Sequence, residues 1–520
     1  MTRPVLRHLI VICVLALAVR VALLALFVRF PGIADPNHYY NLGVRLVQGD
    51  GYTIPYIWQY NDDYADVVHP DDYWMPVTAL IAAGGMRVFG ISTTGALIPF
   101  IVLGSLLPLI GFAAARQFGL RDATCLWVGA AAALIPELVL NSVRTDTTIP
   151  NALCIGLGVI AFTHGVRTGR LFAFAAAGIG VGLAYNIRSE SLLFALALVF
   201  TLASYALWSR HETAWRRVLI GTALMLGMTA ACALPWTLRN VALNGTFSTP
   251  TTSNMFFLTD YRDHYVFERA LTLQTYLDAW TPGQIIGKRL FELAATAKLM
   301  VTTLDALPLL VIGGGLLVVA ARDTRRGSAL APVVLALIGF IVFYPILVPF
   351  KSQGGSMKKA YLSLIPLLIP VAGYALERAI TDARIRAGAM SLVVLLLGAN
   401  AFELVRQDAT FTATYRAQIT AMSQIARTLP DVTGDGRVIF MTQDPFMLGY
   451  EGLSSVMYPF PDRAAVDAVI ARYGVDYLLM PPDRPALDAI YERESDDMRL
   501  TFVAGVPRTD YEFWRVEQTP

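Results

Sequence analysis

The stretch HLIVICVLALAVRVALLALFV at residues 8–28, followed at once by RFPGIADPNHYY at 29–40, decides how the chain is read. The first part is long enough to cross about 30 Å of hydrocarbon as a helix, and the second opens a loop rich in charge and aromatic rings. Arg3 and Arg7 precede the apolar run and no small-x-small cleavage pattern follows it, so it reads as an uncleaved first span. Arg20 lies inside that span, where an unpaired guanidinium is expensive, and is expected to face protein in an ion pair. Asp35 opens the loop beyond it. A carboxylate held where the membrane ends is placed to act on water-borne and lipid-borne substrates together. Standing before Pro36, it is equally placed to cap the helix that follows.

Outward from this stretch the same alternation repeats. The 520 residues are 55% hydrophobic and only 15% charged, too apolar for a soluble enzyme of ordinary composition. Apolar windows fall near 8–28, 94–115, 123–140, 147–165, 171–187, 191–208, 218–237, 298–320, 329–348, 359–377 and 388–405, which predicts about eleven transmembrane helices. Arg3/Arg7, Arg116/Arg121, Arg167/Arg170, Arg210/Arg216/Arg217, Arg322/Arg325/Arg326 and Arg378/Arg384/Arg386 all fall on one side of that topology. The positive-inside rule makes that side cytoplasmic, with the N-terminus. The elaborate segments, above all the loops 29–93 and 238–297, are then exoplasmic. Residues 75–90 are too short to span and read as a helix lying along the outer interface, anchored by Tyr73 and Trp74.

After position 405 the pattern changes. Residues 406–520 hold 17 Asp and Glu against 11 Arg and no Lys, so the part before them carries +8 of a net charge of +2. This balance argues against a nucleic-acid partner. Short apolar runs at Arg437–Met441, Val475–Met480 and Tyr511–Glu517 read as strands, with a helical period at Arg463–Tyr473. A small α/β domain over 406–520 is expected on the exoplasmic, or periplasmic, side of a cell membrane, joined to a membrane domain over 1–405. The four cysteines, Cys13, Cys125, Cys154 and Cys232, all lie in apolar windows and read as packing residues.

On the outer rim the sequence collects acids in the first loop and cations at later span ends. Transfer of a sugar from a lipid phosphate to a hydroxyl needs a base for the acceptor proton and cations for the departing phosphate. Arg188, Arg239 and the pair Lys358/Lys359 stand at span ends facing outward, where they either contact such a phosphate or snorkel to lipid headgroups. Glu137, Asp146 and Glu190 read as ion-pair partners of Arg144 and Arg188. His69-Pro-Asp-Asp with Asn61-Asp62-Asp63 offers an imidazole and oxygens but matches no defined metal loop, and neither a metal nor another cofactor is expected.

Several local patterns resemble those of GT-C type glycosyltransferases that use polyprenyl-phosphate sugars, the group around protein O-mannosyltransferases and aminoarabinose transferases. Asp35-Pro-Asn-His-Tyr-Tyr, leading to Gly49-Asp-Gly-Tyr52, is similar to their acidic residue, Tyr, helix and Gly-x-Gly-Tyr. Tyr73-Trp-Met-Pro-Val through Val88-Phe-Gly90, Asn186-Ile-Arg-Ser-Glu190, Pro235-Trp-Thr-Leu-Arg-Asn240 and Lys359-Ala-Tyr-Leu-Ser-Leu-Ile-Pro366 resemble further family motifs in the family's order. The resemblance implies a polytopic α-helical GT-C fold, Asp35 as acceptor-activating base, a polyprenyl-monophosphate sugar as donor, a hydroxyl acceptor and transfer with inversion. His38 and Tyr39 would orient donor or acceptor, and Arg188, Arg239, Lys358 and Lys359 would contact the donor phosphate. Two departures stand out: Pro36 follows Asp35 where protein mannosyltransferases have Glu, and the Pro-Pro of the interfacial entry is reduced to Met75-Pro76. A transporter of a lipid-linked glycan, or a membrane sensor whose tail binds a glycan, are the competing readings. The first would place charges along a path through the bilayer midplane, and the second would tolerate loss of Asp35.

Overall fold

The computed structural model describes all residues except Met1, 63, 210–211, 248–253, 430–436, 483, 485, 495–498 and 518–520. Six of the helices it describes are long and apolar enough to cross a membrane, Arg3–Leu26, Thr93–Phe118, Thr148–Thr168, Arg216–Asn244, Arg325–Leu347 and Ala383–Ala426, or eight helices if each of two bent pairs is one span. The chain is an integral membrane protein. The difference from eleven expected spans has local causes. Asp122–Leu134 and Pro136–Ser142 form one bent pair, turned by 56° where proline denies the helix a backbone donor. Pro282–Thr303 and Pro308–Ala320 form the other, turned by 102° around Asp305 at φ 56°. Three windows remain: 171–187 yields a helix of only 15 residues, Leu171–Tyr185, 191–208 yields a shorter apolar helix, Ser189–Ser204, and 359–377 is broken into Met357–Leu362 and Ile365–Ala379.

Helix Leu171–Tyr185 packs between Thr148–Thr168 and Glu212–Asn244 through small residues. A Cβ at Gly178 would stand 2.2 Å from the Met225 carbonyl oxygen, so the two backbones approach as closely as they do only because no side chain intervenes. Arg20 is fully buried but makes no ion pair among the described residues, contrary to expectation. Its guanidinium donates to the Ala133 carbonyl at 3.0 Å and the Ala16 carbonyl at 3.2 Å. Ala133 lies in the last turn before the Pro136 bend, where helix carbonyls lack intrahelical partners, and a five-donor side chain serves one of them.

The long outer loop expected over 238–297 is shorter, because helix Glu212–Asn244 runs into it from one end and Pro282–Thr303 begins inside it from the other. Residues 76–89 form the helix expected there, Pro76–Phe89. It packs between Asp35–Gln48 and Thr93–Gly104, and the Val77 amide donates to the Asn186 carbonyl at 3.0 Å. Helix Ala383–Ala426 runs 44 residues without a break, so the 405/406 boundary lies inside it and the tail is reached on a continuous rod.

The tail strands form a six-stranded sheet in the order Tyr56–Ile57, Ser454–Met457, Ile439–Thr442, Tyr477–Met480, Glu512–Val516 and Leu500–Gly505. The first four are parallel and the last two antiparallel. Its edge strand comes from the first loop, with Tyr56 opposite Ser455 and Ile57 opposite Val456. One face packs on helix Arg463–Tyr473 through Met441, Val456 and Leu478. The other, with Phe440, Leu479 and Phe513, rests on Ile419, Met422 and Ala426 at the end of the long helix. The parallel strands are buried along their length, as strands covered on both faces must be.

Candidate active site

The chain leaves the first span at Leu26 and turns through Pro31-Gly32-Ile33-Ala34 into helix Asp35–Gln48. Gly32 has φ +114°, and a Cβ there would stand 2.7 Å from Pro36. Ala34, the residue before the helix, is held at φ 58° and ψ −120°, a conformation that non-glycine residues reach only when their surroundings impose it. Asp35 is therefore the first residue of the helix and not its cap. Its side chain borders a cavity of about 360 Å³.

Asp35 Oδ2 accepts from Lys359 Nζ at 3.0 Å, and the same ammonium donates to Asp146 Oδ2 at 2.6 Å. Asp146 is 1% exposed and also accepts from the Thr148 amide and hydroxyl at 2.8 and 2.6 Å. The Asp35 side chain is 40% exposed, and Lys359 is its only hydrogen-bond partner among the described residues. Burial alone would push both carboxyls up. The Lys359 ammonium outweighs burial and holds Asp35 below the ordinary carboxylate range, and with the Thr148 donors it brings Asp146 down to about 2. Both carboxyls are ionised at neutral pH. One is fixed, and the other faces open space.

The remaining cavity wall draws on distant segments. Trp58, Tyr73 and Trp74 come from the first loop, Tyr261 and Tyr265 from the second, and Phe446 from the tail. Arg188 and Glu190 line the cavity as an ion pair, and Arg188 Nη1 also donates to the Thr147 hydroxyl at 3.1 Å. Tyr39 lines it as well.

His38 does not line it. The imidazole lies under Trp74, ring centres 3.8 Å apart, with Nε2 at 2.9 Å from Asp71 Oδ2 and Nδ1 at 2.8 Å from the Tyr56 hydroxyl. Asp71 Oδ1 in turn accepts from the Tyr73 amide at 3.1 Å, so His38 fixes the segment that carries two aromatic wall residues. Arg239 also lies behind the wall. Its guanidinium stacks 4.4 Å from the centre of Trp236 and 5.2 Å from that of Tyr52, and donates to the Tyr52 carbonyl at 3.3 Å.

Lys358 and Lys359 part company. Neighbours on a helix diverge by about 100°, and while Lys359 reaches Asp35, Lys358 Nζ pairs with Glu137 at 2.6 Å, away from the cavity. Of the ion pairs read for the other acids, only Arg188–Glu190 forms; Arg144 pairs with Asp408 of the long helix. The acids and imidazole of the first loop turn to separate partners. His69 stacks on Tyr64 and is brought down to about 4 by burial, Asp71 is taken by His38, Asp72 accepts from the Asn244 amide at 2.6 Å, and Asp63 lies outside the described residues. Among the described residues no group of three His, Cys, Asp or Glu side chains is set to hold a metal ion.

Asp72, Asp146, Glu190 and Lys351 are charged groups at or beside the cavity that the sequence reading did not assign to the site. Asp146 obeys the same positional logic as Asp35, a carboxylate at a span end, but nearby arginines gave it a simpler partner than the one it has.

Residues 68–236 match the family model of dolichyl-phosphate-mannose-protein mannosyltransferases. No curated protein matches the sequence. Among solved structures, the fold is similar to that of ArnT from Cupriavidus metallidurans bound to undecaprenyl phosphate, with a TM-score of 0.63 and 16% identity over 97% of this chain and 98% of that one. It is similar to the oligosaccharyltransferase of Archaeoglobus fulgidus, with a TM-score of 0.59 and 13% identity over 96% of this chain and 72% of that one. The mycobacterial arabinofuranosyltransferase AftD gives a TM-score of 0.54 and 13% identity over 100% of this chain and 42% of that one. The chain resembles the GT-C type glycosyltransferases that use polyprenyl-phosphate sugars, in sequence over residues 68–236 and in fold over nearly its whole length.

Proposed function

We propose that this protein is a membrane glycosyltransferase that moves a sugar from a polyprenyl-phosphate donor to a hydroxyl acceptor on the outer face of the membrane, with Asp35 as general base. The observation that carries this reading is the Asp35 carboxyl at a cavity of about 360 Å³, held by an ammonium whose other anchor is a buried aspartate. The lipid phosphates bound by proteins of similar fold support the donor class: undecaprenyl phosphate in ArnT and dolichol phosphate in the archaeal oligosaccharyltransferase.

The chemistry follows from charge. Asp35 accepts the acceptor's hydroxyl proton as that oxygen forms a bond to the anomeric carbon. The bond from that carbon to the phosphate oxygen breaks, and the phosphate leaves with the electron pair. Arg188 and Lys359 lie where they can stabilise the departing charge, while Arg239 and His38 act through the residues they pack against. Attack opposite the leaving group inverts the anomeric centre. The aromatic faces of Trp58, Trp74 and Phe446 suit a sugar ring bounded by hydrogen-bonding groups. Helix Pro76–Phe89 lies along the outer interface in this reading, the N-terminus is cytoplasmic and the tail sheet is exoplasmic.

The test is transfer from a panel of radiolabelled polyprenyl-phosphate sugars by membranes containing equal amounts of wild type or Asp35→Asn. Loss of at least about a hundredfold in the variant, the order for removing a general base, is expected. Undiminished transfer would remove Asp35 from that role, and failure with every donor would turn attention to glycan transport or sensing.

A further inference from the structure

Two of the cations at the cavity have carboxylate partners within ion-pair distance. Arg188 is taken by Glu190, and Lys359 is shared by Asp35 and Asp146. Asp72 also borders the cavity, with its oxygens accepting from the Asn244 amide at 2.6 Å and the Tyr64 hydroxyl at 3.4 Å. That leaves Lys351. It lines the cavity, is 8% exposed, and meets no carboxylate within ion-pair distance among the described residues. Its ammonium donates to the Tyr73 hydroxyl at 2.8 Å and lies 5.2 and 5.8 Å from the ring centres of Tyr73 and Tyr261. His264, buried nearby, is pushed well down first by burial and then by the Lys351 charge, so it stays neutral and adds no second cation there.

A buried cation without a counter-ion is costly, and two of the three ammonium donors are unspent on any described residue. Ring faces attract the charge but offer no anion. Lys351 also belongs to the segment that delivers Lys359. The chain between them passes through Gly355 at φ +89° and Ser356 on the cavity wall, so one short irregular stretch carries Lys351 to the cavity and Lys359 to Asp35 at its border.

We infer that Lys351 binds the phosphate of the donor, as the cation of the cavity left free for an incoming anion. This assignment rests on the donor reading above. Lys359 stabilises the two aspartates before the donor arrives, whereas Lys351 has its charge satisfied only when a phosphate ester enters. Tyr73 then holds the ammonium in place, and the lipid tail extends away from it.

The experiment uses full-length protein in detergent micelles, with tryptophan fluorescence reporting binding, since Trp58 and Trp74 border the cavity. Undecaprenyl phosphate is titrated into wild type, Lys351→Met and Lys358→Met, and inorganic phosphate into wild type. Loss of a charge-assisted contact is expected to weaken undecaprenyl phosphate binding at least about tenfold in Lys351→Met, with Lys358→Met binding as wild type. Lys351→Gln, which keeps a donor for Tyr73 without the charge, takes the place of Lys351→Met if that variant does not fold. Equal affinity of wild type and the Lys351 variant overturns the assignment alone. Wild type that binds neither ligand overturns the donor reading and this assignment together. Inorganic phosphate bound as tightly as the lipid would show that the site serves a free anion, and would overturn the lipid-linked assignment.

Discussion

Asp146 shows how a single side chain sets the state of a site it does not face. Its folded-state value of about 2 lies below the ordinary 3.8, so the carboxylate contributes stability that is fully present above 3.8 and is lost as pH falls through about 2. The difference corresponds to about 2 kcal/mol at neutral pH. Thermal unfolding of detergent-solubilised wild type should therefore lose stability between about pH 3.8 and 2, and Asp146→Asn should lose less over that window. A wild-type and Asn pair with parallel pH profiles would mean that the carboxylate is not held by Lys359 in solution. At the same scale, Lys358 and Lys359 were indistinguishable as a sequence pair. Their division between Glu137 and Asp35 depends on which side of one helical turn faces the cavity.

At the scale of elements, the site depends on how closely the helices beneath it pack. Helix Leu171–Tyr185 ends at Asn186, whose amide donates to the Cys232 carbonyl at 2.8 Å and whose carbonyl receives the Val77 amide. Arg188 follows two residues later. Gly178→Val would drive its side chain into the Met225 carbonyl, and overpacking of this kind costs about 1–3 kcal/mol. The expected result is lower thermal stability in detergent and reduced transfer, because the segment carrying Arg188 moves with the helix. Unchanged stability would show that the helix pair has slack that the structure does not reveal. The short irregular stretch around Gly355 is the counterpart on the other side of the cavity, and its form was not legible in sequence. The window beginning at 359 marked a span but not the break at Ser363 and Leu364 or the irregular turns before it.

Across the whole molecule, the tail is not an appendage. Strand Tyr56–Ile57 completes its sheet, the Asn37 amide donates to the Phe446 carbonyl at 2.9 Å, and the Phe446 ring closes one side of the cavity. A chain truncated after Arg427 should still insert its membrane helices, yet lose transfer to background, because the partner of the first loop and one wall of the site are gone. Membrane fractions compared for tagged protein and for sugar transfer check this, and activity retained without the tail would place the acceptor elsewhere. The three strands and one helix expected in the tail lie within about two residues of Ile439–Thr442, Tyr477–Met480, Glu512–Val516 and Arg463–Tyr473. The first-loop strand was invisible, since two residues carry no period and their partner lies about 400 positions away.

The sequence by itself determined that this is a membrane protein with a folded tail. It also placed Asp35 where the first span ends, because run length, charge and local order are properties of neighbours along the chain. Tertiary structure alone decided that Lys359 bridges Asp35 to Asp146, that Lys358 turns away, that Arg20 serves a helix carbonyl, and that Lys351 stands at the cavity without a carboxylate among the described residues. Each of those outcomes is a choice among several possible partners for one charge. Burial makes the choice decisive, and only the packed fold determines which partner lies within about 3 Å.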